Sequence, residues 1–331
     1  SIFLRANSKV SVVGHITNDG VVADNFSGLI NAMVYDNSEM ITCLDNDGGA
    51  SDYFRYNDRT KKLYSGTDSV NNGRFCIRFV IPRDINYSDA NGKITLFAYT
   101  PDGKMTAHGE TEHFIVGGSE TVYNDSIGPS VYCYLNSPSF QNGGDVNSTP
   151  FFVAEITDNN GINASGAGIG HDMQLIIDND SKRSYSLNDN FQYDFGSYTT
   201  GSTYYYIPEL EAGPHTLLFR AWDILNNPTS TVLAFNVVKG LDPEIADVSV
   251  SRNPAKTSTT FIVTHNRPGA DLNVEIEIFD MSGRLLHSME QSAGMGSSTC
   301  AIPWDLTVSN GGRLQTGVYL YRVNISCDGS K

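Results

Sequence analysis

The oxygen-bearing residues around one glycine-rich loop are the first place where this sequence could do chemistry. The loop runs Asp158-Asn159-Asn160-Gly161-Ile162-Asn163-Ala164-Ser165-Gly166-Ala167-Gly168-Ile169-Gly170-His171-Asp172. Asp158, Asn160, Asp172 and the nearby Asp178 could present oxygens to a hard cation such as calcium. The competing reading, a plain inter-strand loop, is the better one. A phosphate loop is excluded, because no Lys-Ser/Thr follows and Met173–Ile177 continues as a strand rather than a helix. His171 and Asp172 are adjacent, so in a strand they point to opposite faces and adjacency makes no catalytic dyad.

Other clusters carry less. Asp45, Asp47, Asp52 and Asp58 sit among Gly and Asn but lack the ligand spacing and closing Glu of an EF loop, so a solvated turn is expected. His108, Glu110 and Glu112 share one strand face, enough side chains for a metal, although such polar faces ordinarily meet water. The five cysteines, Cys43, Cys76, Cys133, Cys300 and Cys327, include no C-x-x-C. Cys76 and Cys133 lie in strand-like stretches and read as small buried apolar residues. Cys300 and Cys327 share the last part of the chain, and a bridge between them stays open. Trp222 and the Tyr204-Tyr205-Tyr206 run could stack on sugars, with core packing the stronger reading. No nucleophile–base pair emerges, so a free-standing hydrolase is not expected, nor a cofactor beyond the weak calcium candidate.

The elements that must position these residues are strands. Ile207–Val237 is the clearest stretch: Leu217, Phe219 and Ala221 share one side of Thr216–Trp222, and Leu233, Phe235 and Val237 share one side of Val232–Val237. Asp223-Ile224-Leu225-Asn226-Asn227-Pro228 is the polar turn between them. A related unit appears upstream, with Ile81-Pro82-Arg83-Asp84 before Gly92–Tyr99, and downstream, with Ile302-Pro303-Trp304-Asp305 before Gly317–Val323. Repetition at about one domain length indicates tandem domains. The expected fold is all-β, with immunoglobulin-like antiparallel sandwiches at residues 1–118, 119–240 and 241–331.

Composition agrees with that class. The 331 residues include 31 Gly, 17 Tyr and 16 Phe, the usage of short strands joined by tight turns. The 22 basic and 37 acidic residues give a net charge of −15, which repels a phosphate backbone and an anionic membrane surface alike. No run of 18 apolar residues exists to span a membrane. Ser1–Asn7 has neither an initiator Met nor a signal-peptide pattern, so the chain reads as cut from a longer protein.

Several motifs resemble a known family. Asn253-Pro254, Ile276-Glu277-Ile278-Phe279-Asp280-Met281-Ser282-Gly283-Arg284 and Leu314–Val323 resemble the carboxy-terminal sorting domain of type IX secretion substrates, which Bacteroidetes export through the outer membrane. The Asp158–Asp172 loop and Ile302-Pro303-Trp304-Asp305-Leu306-Thr307 are similar to the region after the peptidase domain in type IX sortases, gingipain-like C25-type cysteine peptidases. The resemblance covers the whole chain. It implies a cell-surface parent that removes sorting domains from cargo and joins the cargo to anionic lipopolysaccharide. The family's catalytic Cys and His lie upstream, so no catalytic residue is carried over. The segment itself would serve as spacer, docking scaffold and secretion signal, with Gly317, Val318, Tyr319, Leu320, Tyr321 and Arg322 as the sorting motif. Implied partners are type IX outer-membrane components and, through the parent, cargo sorting domains. The family pattern continues into a last strand with a lysine-containing tail, whereas this sequence stops at Gly329-Ser330-Lys331. The expected result is an unpaired strand edge that attracts another chain. The alternative is a carbohydrate- or surface-binding sandwich of another type IX cargo protein.

Overall fold

A computed structural model of the chain describes residues 2–44, 48–49, 52–121, 125–166, 170–294 and 296–327. Asp45, Asp47, loop residues 167–169 and the terminal Gly329-Ser330-Lys331 lie outside the described residues. Among those described, the regular structure is strand apart from two single-turn 3-10 helices, Ser181–Arg183 and Asn188–Asn190. No helix is long and apolar enough to cross a membrane. The all-β expectation holds. The described residues fall into two compact units, one of Ser1–Cys133, Ala154–Tyr204 and Thr216–Val232, the other of Tyr134–Val153, Tyr205–His215 and Leu233–Lys331.

Alternation builds the first unit. Ile30, Ala32 and Val34 of strand Gly28–Tyr35 are buried, as are Phe75, Ile77 and Phe79 of strand Arg74–Val80. Successive side chains of a strand face opposite ways, so each strand commits one apolar row to the core. Thr106–Thr111, Lys93–Tyr99, Gly28–Tyr35 and Lys62–Val70 form one sheet in that order. Lys9–His15 pairs antiparallel with Arg74–Val80, and one apolar cluster draws from both sheets. Tyr193 and Tyr198 pack against the same cluster. The Asn18-Asp19-Gly20 turn is a tight hairpin with φ of 50° at Asp19 and 81° at Gly20, as a primed turn demands.

Beside the antiparallel ladders, two pairings among the described residues are parallel. Ile2–Ala6 runs parallel to Phe114–Ser119, and Asp145–Val146 runs parallel to Asn236–Val237. More than ninety residues separate Ile2 from its partner Phe114, ample chain for the crossover that parallel pairing requires.

In the second unit, Leu272, Val274, Ile276 and Ile278 are buried along Leu272–Phe279. They meet Phe261 and Val263 from Thr259–His265, and Cys300, Ile302 and Trp304 from Thr299–Trp304. Two three-stranded sheets enclose this core: Ile245–Val250, Thr259–His265, Thr299–Trp304; and Leu285–Ala293, Leu272–Phe279, Leu320–Cys327. The last strand starts at Leu320, three residues later than the Gly317 that the sequence suggests. The Ile-Pro-acid copies also diverge. Ile81 and Ile207 are buried in turns, whereas Ile302 and Pro303 belong to an edge strand, where the missing Pro N–H is tolerated.

The buried and outward rows of Leu272–Phe279 should separate cleanly in denaturant. Ile276→Ala is expected to lose about 2–5 kcal/mol of stability. Glu275→Ala should stay within about 0.5 kcal/mol of the wild type, the range for surface changes. Equal losses would mean that the alternation does not define this core.

Candidate functional site

The strongest polar constellation in the first unit gathers three turns around Asp84. The corner Ile81-Pro82-Arg83-Asp84 follows strand Arg74–Val80, and Ile81, fully buried, anchors it. The second turn is the described part of the glycine-rich loop. The third is Asp223–Asn227, which follows strand Gly213–Trp222. Backbone bonds join them: Arg83 N donates to Ile224 O at 2.9 Å, Ile224 N to Gly161 O at 3.0 Å, and Asn163 N to Trp222 O at 2.9 Å. Gly161 adopts φ of 125°, left-handed backbone that disfavours a side chain, and its position against Ile224 and Tyr198 leaves little room for one.

Side chains complete the node. Asp84 Oδ2 lies 2.7 Å from His171 Nδ1 and accepts from Asn163 Nδ2 at 3.0 Å. Asp84 Oδ1 accepts from Asn226 Nδ2 at 2.8 Å. Asn226 reaches it with φ of 68°, a conformation Asn tolerates well. The Asp84 side chain is 13% exposed and that of His171 29%. A carboxylate withdrawn this far from water needs such donors, and here it has three. The imidazole meets Trp222 edge-on, with ring centroids 4.6 Å apart, and Trp222 Nε1 donates to Asp172 O at 3.2 Å. An Asp–His pair orients an imidazole as in a catalytic triad, but among the described residues no hydroxyl or thiol is hydrogen-bonded to His171. The arrangement fixes loops.

Next to the node, burial raises the Asp223 carboxyl even though it accepts from Leu225 N, Asn227 N and Asn227 Nδ2. Burial also raises Asp158, whose Oδ1 accepts from Asn160 N at 2.8 Å and Gly161 N at 3.0 Å.

The four calcium candidates do not converge. Asp158 closes its own turn, and Asn160 Nδ2 donates to the Asp125 carboxylate. Asp172 makes no side-chain hydrogen bond among the described residues, and burial raises its carboxyl. Asp178 accepts from Thr216 N at 2.9 Å and pairs with Arg183 at 3.1 Å. No group of three His, Cys, Asp or Glu among the described residues could hold a metal ion. On the 108–112 face, Lys93 lies 2.8 Å from Glu110, and Arg59 lies 3.0 Å from Glu112, so cations of the chain itself meet these carboxylates. Cys300 is buried, and none of the five cysteines forms a disulfide. Trp222 belongs to the node, and Tyr206 packs at 4.8 Å against Phe151.

The residues that the sequence suggests as a sorting motif straddle a strand start. Gly317, Val318 and Tyr319 precede Leu320–Cys327, and Tyr319 Oη donates to Gln315 O at 2.9 Å. The strand forms a sheet edge, with Leu320 opposite Phe279 and Cys327 opposite Leu272. Val318 is 74% exposed, and Leu320 and Tyr321 are also exposed. Arg322 pairs with Glu277 at 2.6 Å and lies over the Phe279 ring.

Sequence reasoning marked the Asp84 corner only as part of a repeat and missed its partners. They lie 79, 87 and 142 residues away, beyond any local spacing rule.

Fold and node together define an all-β scaffold of small sandwiches whose buried polar groups hold turns in place. Over 99% of its length the chain is similar, at 35% identity, to PorU of Porphyromonas gingivalis, known from a crystal structure of its dimeric latent form. The TM-score is 0.45, and the chain spans 31% of that protein's length. The FN1–FN3 domains of chicken CNTN1 are 11% identical over 98% of this chain and 89% of theirs, with a TM-score of 0.20. No protein-family model and no curated protein matches the chain.

Asp84→Ala would strand three donors, so thermal or chemical unfolding of the first unit should show a loss on the order of 3 kcal/mol or more. Asn226→Gly keeps the backbone freedom, removes two neutral bonds and leaves Asp84 with its other two donors, so its loss should be clearly smaller. Similar losses would show that the Asp84 carboxylate contributes nothing beyond its bond to Asn226.

Asp172 supplies a pH test. Its folded carboxyl is raised, so its contribution is fully present below the unfolded value near 3.8 and is lost as pH rises through the folded value. Asp172→Asn should therefore cost no stability at neutral pH and should remove part of the gain on acidification. A loss at pH 7 would contradict burial as the cause.

Proposed function

We propose that this chain is a non-catalytic region of a cell-surface cysteine-peptidase sortase related to PorU. The observation that carries the reading is the 35% identity sustained over 99% of the chain. In this reading, residues 1–118 and 119–240 are sandwich spacers beside an upstream peptidase, and 241–331 is a sorting-type domain. The parent cleaves sorting domains from secreted cargo and attaches the cargo to anionic lipopolysaccharide on the outside of the outer membrane. Residues Gly317–Arg322 dock with the type IX secretion machinery.

Physical chemistry supports the division of labour. Burial pushes the Cys133 thiol up to about 12 and raises the Cys300 thiol too. A nucleophilic cysteine requires the opposite shift. The exposed Val318, Leu320 and Tyr321, beside an edge strand, suit recognition by another protein.

The test uses the full-length parent in its own cell. Deleting residues 241–331 should leave the protein inside the outer membrane, read by loss of surface labelling and of released cargo. Normal surface exposure after that deletion would sink the reading.

A further inference from the structure

The first unit holds a second buried polar cluster, around Asp36, that none of the foregoing uses. Asp36 follows strand Gly28–Tyr35 and is fully buried. Lys61 precedes strand Lys62–Val70, which pairs with Gly28–Tyr35 so that Lys62 stands opposite Tyr35. Asp36 N donates to Lys61 O at 2.9 Å, which keeps the two residues side by side. Asn86 comes from a third segment, the turn that buried Ile85 anchors.

The Asn86 backbone is held on both sides. Its N–H donates to Asp36 Oδ2 at 2.6 Å, and its carbonyl accepts from Asn37 Nδ2 at 3.2 Å. Asn37 is itself buried, and its N–H donates to Asp36 Oδ1 at 2.7 Å. The Asn86 side chain is thus presented in a fixed place, and Lys61 meets it there: Nζ donates to Asn86 Oδ1 at 2.6 Å. A carbonyl bond is about 1.2 Å long, so the lysine nitrogen lies no farther than about 3.8 Å from the Asn86 Cγ. Reacting atoms in a near-attack geometry sit about 3–3.5 Å apart, and this contact is close to that range.

Two further features suit a reacting amide. Asn86 Nδ2 is buried and has no hydrogen-bond partner among the described residues. A buried amide nitrogen ordinarily finds an acceptor, and here nothing holds that nitrogen against departure. The Asp36 carboxyl is withdrawn from water. Burial raises it although two N–H groups and the Lys61 cation act the other way, and Glu39 adds to the rise. It is a ready acceptor for a proton.

We propose that Lys61 and Asn86 join in an intramolecular isopeptide bond, with Asp36 as the proton carrier. The Lys61 ammonium gives one proton to Asp36, and the free amine adds to Asn86 Cγ. The Cγ–Nδ2 bond breaks, a second amine proton goes to the leaving nitrogen, and the ammonia takes up the proton held by Asp36. One ammonium and one carboxamide enter; one secondary amide and one ammonium ion result, with nothing oxidised or reduced. The bond ties segments 25 residues apart and fastens the Asn86 turn to the sheet. The inference stands apart from any reading of the parent as a sortase.

The test is the mass of the intact chain after purification and prolonged incubation. The bond removes one ammonia from the mass that the sequence specifies, and tryptic digestion should yield a branched peptide that carries both Lys61 and Asn86 and is uncut after Lys61. Lys61→Arg keeps a cation beside Asn86 without an amine that can form the amide, and Asn86→Ala removes the carbon attacked, so both should keep full mass. Asp36→Asn keeps the shape without the proton carrier and should slow bond formation about a hundredfold. The thermal midpoint of Lys61→Arg should fall below that of the wild type, because its loop is no longer closed. Succinimide formation at an Asn-Gly step such as Asn72-Gly73 also sheds ammonia, so the branched peptide decides. A folded wild-type chain of full mass without that peptide overturns the proposal, as does an ammonia loss that persists in both Lys61→Arg and Asn86→Ala. Bond formation at the wild-type rate in Asp36→Asn overturns the role given to Asp36.

Discussion

A strand can bury only one of its two rows of side chains when its sheet is covered on one face, and this constraint organises both units. Ile30, Ala32 and Val34, or Val274, Ile276 and Ile278, leave water together because every second residue of their strands points inward. The sheets are narrow, two to five strands among the described residues, so each core closes within a few strands. Little interior remains for a deep catalytic cavity. Polar interactions beyond packing gather at the strand ends, where the Asp84 node lies.

Aspartate serves two opposed purposes at those ends. Asp36, Asp158 and Asp223 are drawn into the protein, and burial raises each carboxyl despite the backbone N–H groups that each accepts from. Asp102, Asp280 and Asp305 stay in exposed turns, where hydroxyl and N–H donors lower them, Asp280 to about 2. The first group loses hydration in order to pin loops together, and the second caps turns at little desolvation cost. Asp84 is close to the first group in surroundings, with side-chain donors taking the part that backbone N–H groups play elsewhere.

What the sequence disclosed follows from which interactions are local. Val274, Ile276 and Ile278 announce their strand through period-two spacing, and Asp19-Gly20 announces its turn through residues that tolerate positive φ. The Asp84 node is illegible in the sequence because its donors come from two distant turns that only the folded chain brings to the Asp84 corner. His171 was weighed against its neighbour Asp172, when its partner is 87 residues upstream. The start of the last strand was misplaced for a related reason. Gly317-Val318-Tyr319 has strand-like composition, but pairing with Leu272–Phe279 begins only at Leu320, opposite Phe279. Likewise Ile302-Pro303-Trp304 looked like a corner and became part of an edge strand, since an edge is where a proline can sit.

The end of the chain shows how pairing selects what remains for recognition. Along Leu320–Cys327, Arg322 and Asn324 reach back to Glu277 and Glu275 on the adjacent strand. Their polar groups are engaged, and the cation of Arg322 also covers the Phe279 ring. The exposed apolar residues Val318 and Leu320 are not covered in this way, and Tyr321 touches Phe261 with one edge while remaining exposed. A charged, ion-paired row along an edge discourages indiscriminate strand addition, whereas an apolar cluster at its start favours a partner with a matching pocket. Neighbouring residues of one edge thus differ in kind, polar groups engaged along the strand and apolar side chains exposed at its start.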